Sequence, residues 1–278
     1  MAEASEVAAA GRVTVAAVKS PVNAPEAERI GRVLRARVPY HDPDEFAARV
    51  RPWPDEPGTV QLITVDQSAP PPEVIRSWLD ELRSEGVSRV RTGALGPTMR
   101  PPYFECGFTV RQELTLLSHD LTDLRTLRTP GALDGGPVLR RGRTGDLVSL
   151  ALTDRRAFGS MWCMDLQGIV DACTATPNHR LRIAMEGSQV LAYAVSGRAA
   201  RSAYLQRLAV DPDAQGRGLG RMLTVDALRW ARRHRCTTML VNTHVDNEAA
   251  LHLYHSVGFV DMPYRLMVLD MALGRDLP

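Results

Sequence analysis

Two stretches of the chain place apolar residues at helical spacing. Val74, Ile75, Trp78, Leu79 and Leu82 share one helix face, as do Leu219, Leu223, Ala227, Trp230 and Ala231. Each stretch leads into a short strand, a second short helix and a final apolar strand. The second half opens with a strand expected at Val138–Arg141 and helices over residues 146–158 and 165–175, the second closed by Pro177-Asn178. Strands follow at 181–185, 189–197 and 203–210, the first two joined through the turn Glu186-Gly187-Ser188.

The two stretches belong to an internal repeat. Shifting the sequence by 151 positions lays residues 78–117 on 229–268 without a gap: Val90 on Val241, Tyr103 on Tyr254, Gly107-Phe108 on Gly258-Phe259 and Leu116-Leu117 on Met267-Val268. The copies differ at one loop. From Asp66 to Leu79 the first copy is six residues shorter than the second is from Asp211 to Trp230, and the missing piece is glycine-rich. The first copy instead carries Gln67-Ser-Ala-Pro-Pro-Pro72, whose three prolines remove three N–H donors. Gly96 stands where the second copy has Asn247.

In the second copy an apolar strand with Leu205, Leu208 and Val210 ends at Asp211-Pro212 and gives way to Gln215-Gly-Arg-Gly-Leu-Gly220 at the start of a helix. Free backbone N–H groups at a positive helix end make an anion site, and glycines let a phosphate approach the backbone. Arg217 and Arg221 add formal charge beside it. Asn247-x6-Tyr254-x3-Gly258-Phe259 begins 27 residues beyond Gly220.

This combination, Gln-x-x-Gly-x-Gly after a strand and then Asn-x6-Tyr-x3-Gly-Phe, resembles the GNAT acetyltransferases. The resemblance covers about residues 137–270 with specific motifs and about 12–120 weakly. It implies an α/β (α+β) fold of two GNAT-like domains, each a mixed central sheet with flanking helices, the N-terminal copy truncated and degenerate. The expected organisation is a flexible tail at 1–11, a degenerate domain without a cofactor loop at 12–122, a linker at 123–136 and a catalytic domain at 137–278. The resemblance implies acetyl-coenzyme A as co-substrate and no metal. Leu208, Ala209 and Val210 would hold the thioester and pantetheine through their backbone. Gln215, Gly216, Arg217, Gly218, Leu219, Gly220 and Arg221 would hold the pyrophosphate, and Asn247 the coenzyme arm. Tyr254 would be the general acid. The tandem layout is similar to that of the mycothiol synthases, which acetylate an amino-sugar–cysteine conjugate. A non-catalytic acetyl-coenzyme A sensor is the rival reading, against which the acid-position Tyr254 speaks.

The family pattern fails at the base. The two strand positions where many members carry glutamate are Tyr204 and Asn242, and neither is a base near neutral pH. His244 shares a strand face with Asn242 and titrates in a useful range, which makes it the candidate catalytic base. Tyr204, Asn242 and Trp162 are expected to contact the acceptor, with Phe158, Met161 and Met164 as an apolar cluster or ordinary core. Without a carboxylate base, acceptor amines of low pKa are favoured: small amines, amino-sugar conjugates or peptide N-termini.

Composition narrows the remaining choices. With 34 basic and 32 acidic side chains, formally +2, nothing calls for nucleic acid or a membrane surface as partner. Basic charge is almost all arginine, Lys19 being the single lysine, which suggests a GC-rich genome such as an actinobacterium's. Cys106, Cys163, Cys173 and Cys236 show no metal-ligand spacing and read as reduced, buried thiols. Neither a secretion signal nor 18 consecutive apolar residues occurs, so a cytoplasmic location is expected. The oligomeric state is left open.

Overall fold

The computed structural model describes residues 33–37, 45–53, 56–65, 68–122 and 136–274. The expected tail, and residues 123–135 of the expected linker, lie outside the described residues. Packing divides the chain into two compact units. One takes the chain up to Thr115 together with the segment from Pro263 onward, and the other is Leu116–Met262.

In the first unit, strands β1 (Val33–Arg37), β2 (Glu45–Pro52) and β3 (Thr59–Thr64) pair antiparallel. Helix α1 (Pro72–Ser84) then crosses to β4 (Arg89–Thr92), which lies parallel to β3. Helix α2 (Pro101–Glu105) precedes β5 (Thr109–Asp120). Proline in the first turn suits α1, where N–H groups have no intrahelical partner. The anticipated face, Val74, Ile75, Trp78, Leu79 and Leu82, is buried against Leu62, Val90 and Tyr103.

The second unit begins with the end of β5 and continues through β6 (Val138–Arg141), α3 (Leu147–Trp162) and α4 (Leu166–Thr174). Strands β7 (Asn178–Glu186), β8 (Gln189–Ala199) and β9 (Ser202–Val210) form an antiparallel meander. Helix α5 (Leu219–Arg233) crosses to β10 (Thr238–His244), parallel to β9. Helix α6 (Glu248–Ser256) and β11 (Val260–Ala272) complete the order. Helices α5 and α6 cover one sheet face around Leu223, Leu228 and Tyr254, and α3 and α4 cover the other around Leu150, Ile169 and Tyr193.

Two features depart from a plain reading of the pattern. The unit boundary falls inside β5 and β11, so Leu117 and Leu121 enter the core of the second unit while Leu269 and Leu273 enter that of the first. The repeat had aligned these two strands with each other, and packing assigns the C-terminal part of each to the unit that the chain order would not give it. Secondly, β9 carries a bulge: Val195 faces Arg207 but Ser196 faces Leu205, leaving Gln206 as the extra residue. The bulge shifts the period-two phase. Ala203 and Leu205 face the α5 core before it, Leu208 and Val210 after it, and Ala209 turns to the α3–α4 core.

Candidate functional site

The glycine loop is built as a donor-lined cradle. Asp211, buried at the end of β9, accepts from the Asp213 amide at 3.0 Å and is paired at 2.8 Å with Arg156 from α3, which fixes the loop's entry. Gly216 and Gly218 have φ of +74° and +76°, and a Cβ on either would meet nothing within 4 Å. A Cβ on Gly220 would press on Leu253 at 3.1 Å, so this glycine serves helix packing. The first bond into α5 runs from Met222 N to Gly218 O at 2.9 Å. Among the described residues, the amides of 216–221 donate to no backbone carbonyl, which leaves them for an anion at a positive helix end. Arg217 is paired with Glu186 of the β7–β8 hairpin and holds that carboxyl below its ordinary range. Arg221 donates to the Ser256 carbonyl at 3.3 Å.

Beside the loop, the parallel ladder of β9 and β10 runs through Ser202–Thr238, Ala203–Met239 and Tyr204–Leu240 and stops. Residues 208–210 pair with β8 on one edge, and the other edge lies past the end of that ladder. The strands thus part just where a substrate arm could take backbone hydrogen bonds.

Tyr254 of α6 packs in the same core as Leu208 and Val210. The residue is 5% exposed and its ring packs on Phe259 at 5.6 Å between centroids. Its hydroxyl takes no hydrogen-bond partner among the described residues. Burial pushes the phenol well above its ordinary pKa, and the charge of Arg207 partly opposes that shift. Asn247 caps α6, its Oδ1 accepting from the Ala250 amide at 3.1 Å. His244 stands at the end of β10 with Nδ1 accepting from the Asp246 amide at 3.1 Å, so its basic lone pair is occupied by its own turn. Asn242 is exposed on the same face of β10, opposite the buried Met239 and Val241. Tyr204 is half-buried, and burial raises its phenol pKa against a hydrogen bond with Ser202.

On the α3 side a polar network stands where sequence gave only apolar candidates. Asp154, fully buried, accepts from Arg207 Nε at 2.8 Å and Nη2 at 2.6 Å, from the Tyr193 hydroxyl at 2.5 Å and from the Met164 amide at 2.5 Å. Arg207 Nη2 also donates to the Trp162 carbonyl at 2.9 Å, and its guanidinium lies 3.5 Å over the Phe158 ring. Helix α3 breaks at Gly159, whose φ is +69°, close to its expected end at Phe158. The break turns the Trp162 carbonyl toward Arg207.

Residues 147–259 match the profile of the acetyltransferase (GNAT) family. A mycothiol acetyltransferase of Rhodococcus jostii is 30% identical over 228 residues, covering 74% of this chain and 72% of that protein. The chain belongs to the GNAT acetyltransferase family. A ribosomal protein bS18-alanine N-acetyltransferase of Salmonella typhimurium is 33% identical over 88 residues, 32% of this chain and 60% of that one. A tandem GNAT protein from the clavulanic acid biosynthesis pathway shares the fold at 14% identity, with a TM-score of 0.60 over 82% of this chain and 79% of its own.

In this GNAT chain, the loop residues, the strand segment 208–210, Asn247 and Tyr254 all lie in the second unit, around the ends of β9 and β10. The Trp162 carbonyl accepts from Arg207. Phe158 and Met164 pack against the α3–α4 core, and the side chain of Met161 is outside the described residues. Asp154 and Arg207 went unnoticed in the sequence. Their signal was an acid four residues after Leu150 on the helix's buried face, and an arginine inside an apolar strand. None of the four cysteines is in a disulfide; Cys173 and Cys236 are buried, whereas Cys106 and Cys163 are half-buried. Among the described residues no group of three or more His, Cys, Asp and Glu side chains gathers to hold a metal, and no helix is long and apolar enough to cross a membrane.

Proposed function

We propose that the second unit catalyses acetyl-coenzyme A-dependent N-acetylation of a primary amine by direct attack in a ternary complex, and that the first copy, over 12–122, has no cofactor site. The observation that carries this reading is the meeting of two features in one unit: a loop whose amides donate to no backbone carbonyl, and a largely buried tyrosine whose hydroxyl takes no hydrogen-bond partner among the described residues. The open space at Gly216 and Gly218 and the amides of 216–221 fit a pyrophosphate. The free edge of 208–210 fits an amide-bearing arm and a thioester carbonyl. The bound co-substrate supplies the activated acetyl group.

Tyr254 protonates the departing sulfur. A phenol near pKa 10 donating to a thiolate near 8.5 moves a proton uphill by roughly 2 kcal/mol. Burial raises the phenol further, so its hydrogen bond strengthens as charge builds on sulfur and transfer comes late. No side chain deprotonates the acceptor in this reading, because Tyr204 is a half-buried phenol whose pKa burial raises and His244 Nδ1 accepts from the Asp246 amide. The amine must arrive neutral. At pH 7 an amine of pKa ~10.4 is neutral for only ~0.04% of the time, against over ~10% for one near 7.8. The acceptor is therefore a low-pKa amine, such as the cysteine amine of an amino-sugar conjugate. Relatives bearing the names mycothiol acetyltransferase and ribosomal protein alanine N-acetyltransferase support small-molecule and α-amine acceptors.

The test is thiol release from acetyl-coenzyme A with cysteinyl-glucosamine conjugates, amino sugars, peptide α-amines and lysine peptides. Activity should rise with pH along each acceptor's own amine titration and be unaltered in His244→Gln. A limb near pH 6–7 that stays fixed across acceptors and vanishes in His244→Gln would make His244 the base and remove the argument for low-pKa acceptors.

A further inference from the structure

Strict alternation along β9 would send Arg207 into the α5–α6 core with Ala203 and Leu205. The extra residue Gln206 shifts the phase, so Arg207 leaves the sheet on the α3–α4 side, where it meets Asp154 and the Phe158 ring. Tyr204 lies on that side as well, and so does Asn242, because their neighbours Ala203, Leu205, Met239 and Val241 fill the α5–α6 core. That core closes the other side of the β9–β10 gap with Leu208, Val210, Leu253 and Tyr254. An acceptor therefore reaches a thioester held along 208–210 from the side of Tyr204, Arg207 and the exposed Asn242. On this side the Arg207 guanidinium is fixed before any ligand arrives. Nε and Nη2 fork onto the fully buried Asp154, Nη2 also holds the Trp162 carbonyl, and the Phe158 ring covers one face at 3.5 Å. Nε and Nη2 share one edge of the planar group, so Nη1 stands at the opposite corner, away from Asp154. Nη1 engages nothing among the described residues, and the side chain keeps 14% of its surface exposed.

We propose that Arg207 is a specificity-determining residue for the acceptor: its Nη1 donates a hydrogen bond to an acyl carbonyl oxygen on the carbon next to the one bearing the amine. The second unit thereby selects α-aminoacyl amines from among the amines of low pKa. The proposal rests on the reading of this unit as an N-acetyltransferase. Low amine pKa alone does not tell an aminoacyl group from an amino sugar, since both stay well below a lysine amine. An α-aminoacyl group differs in carrying a carbonyl oxygen at a fixed reach from its nitrogen, and one rigid donor reads that reach while it orients the nitrogen for attack. Asp154 balances the charge of the guanidinium, so Nη1 offers a directed donor rather than a net charge. That suits the neutral carbonyl of an amide better than the carboxylate of a free amino acid. An ion pair that served the fold alone would be complete with Asp154 and would not distinguish one amine from another.

The experiment measures kcat/KM for thiol release from acetyl-coenzyme A with two kinds of acceptor of similar amine pKa. Alaninamide and a cysteinyl-glucosamine conjugate carry the carbonyl, whereas glucosamine and 2,2-difluoroethylamine do not. The wild type should prefer the first kind. Arg207→Lys keeps a cation on Asp154 and removes the far donor. It should shrink that preference by about 10–100-fold, the scale of one hydrogen bond from a charged donor, with the KM for acetyl-coenzyme A little changed. If Arg207→Lys does not fold, Arg207→Met combined with Asp154→Asn decides by the same ratio. A wild type that uses glucosamine as well as alaninamide, or a preference that survives the substitution because both kinds lose equally, overturns the role of Arg207 and leaves the acetyl-transfer reading standing. A wild type that binds acetyl-coenzyme A and acetylates none of these amines overturns that reading and the proposal with it.

Discussion

Tyr103 and Tyr254 occupy equivalent places in the two copies, each beside a phenylalanine reached through the same Gly-Phe step, yet their hydroxyls meet different fates. Tyr103 is fully buried, packs edge-on against Phe108 at 5.3 Å and shares a hydrogen bond with Thr64 at 3.2 Å. Tyr254 keeps the aromatic neighbour and leaves its hydroxyl unclaimed. The same contrast recurs at other matched positions. Where the second copy exposes Asn242, the first has Arg91, buried and locked to Asp270 at 2.8 and 3.0 Å under the ring of Trp53. Where the second opens a helix on glycines with free amides, the first opens it on Pro70, Pro71 and Pro72, and the Val74 amide turns back to the Pro71 carbonyl. One plan has been kept for its core twice, while the matched tyrosine hydroxyl is hydrogen-bonded in one copy and takes no partner among the described residues in the other.

The sharpest way to break this contrast is to remove the two hydroxyls separately. Tyr254→Phe should lower kcat by about 10²–10⁴-fold with coenzyme affinity little changed, the usual scale for a general acid. Tyr103→Phe should leave kcat unaltered and lower stability by about 1 kcal/mol, the net worth of one hydrogen bond, in denaturant titrations. Equal effects of the two on turnover would erase the distinction. Next in size is the closed copy's ion pair. Arg91→Met leaves the buried Asp270 with only Arg89 at 3.5 Å and Arg111 at 3.9 Å, which should cost roughly 3 kcal/mol in unfolding free energy while kcat of the folded protein stays unchanged.

The smallest effect concerns the open copy's own restraint. Arg217 is held by Glu186 beside the cradle, and the pairing holds that carboxyl below its ordinary range. Glu186→Gln should free the arginine for the pyrophosphate and tighten acetyl-coenzyme A binding a few-fold, an effect that added salt should shrink. Weaker binding in this variant would mean that Glu186 orders the loop rather than competing for Arg217.

Much of this was legible in the sequence, because its strongest signals are local. Helical spacing at 74–82 and 219–231, the glycine loop and the tyrosine spacing depend on neighbours within a few turns, and the elements appear where that spacing put them. Strand β6 forms where a strand was expected around 138–141, and α3 bends at the glycine next to its expected end. What escaped depends on distant partners. The bulge at Gln206 is decided by pairing with β8, the division of β5 and β11 between units by packing, and the Asp154–Arg207 clamp by two elements 53 positions apart in the chain. A polar residue on an apolar face signals such a partner without naming it.

The central claim is that one copy binds the co-substrate and the other cannot, and calorimetric titration with acetyl-coenzyme A tests it most directly. One site per chain is predicted, lost in Gly218→Glu, which sets a carboxylate into the amide-lined cradle, and retained in Pro71→Ala. Two sites of comparable affinity, or binding that survives Gly218→Glu, would contradict the account.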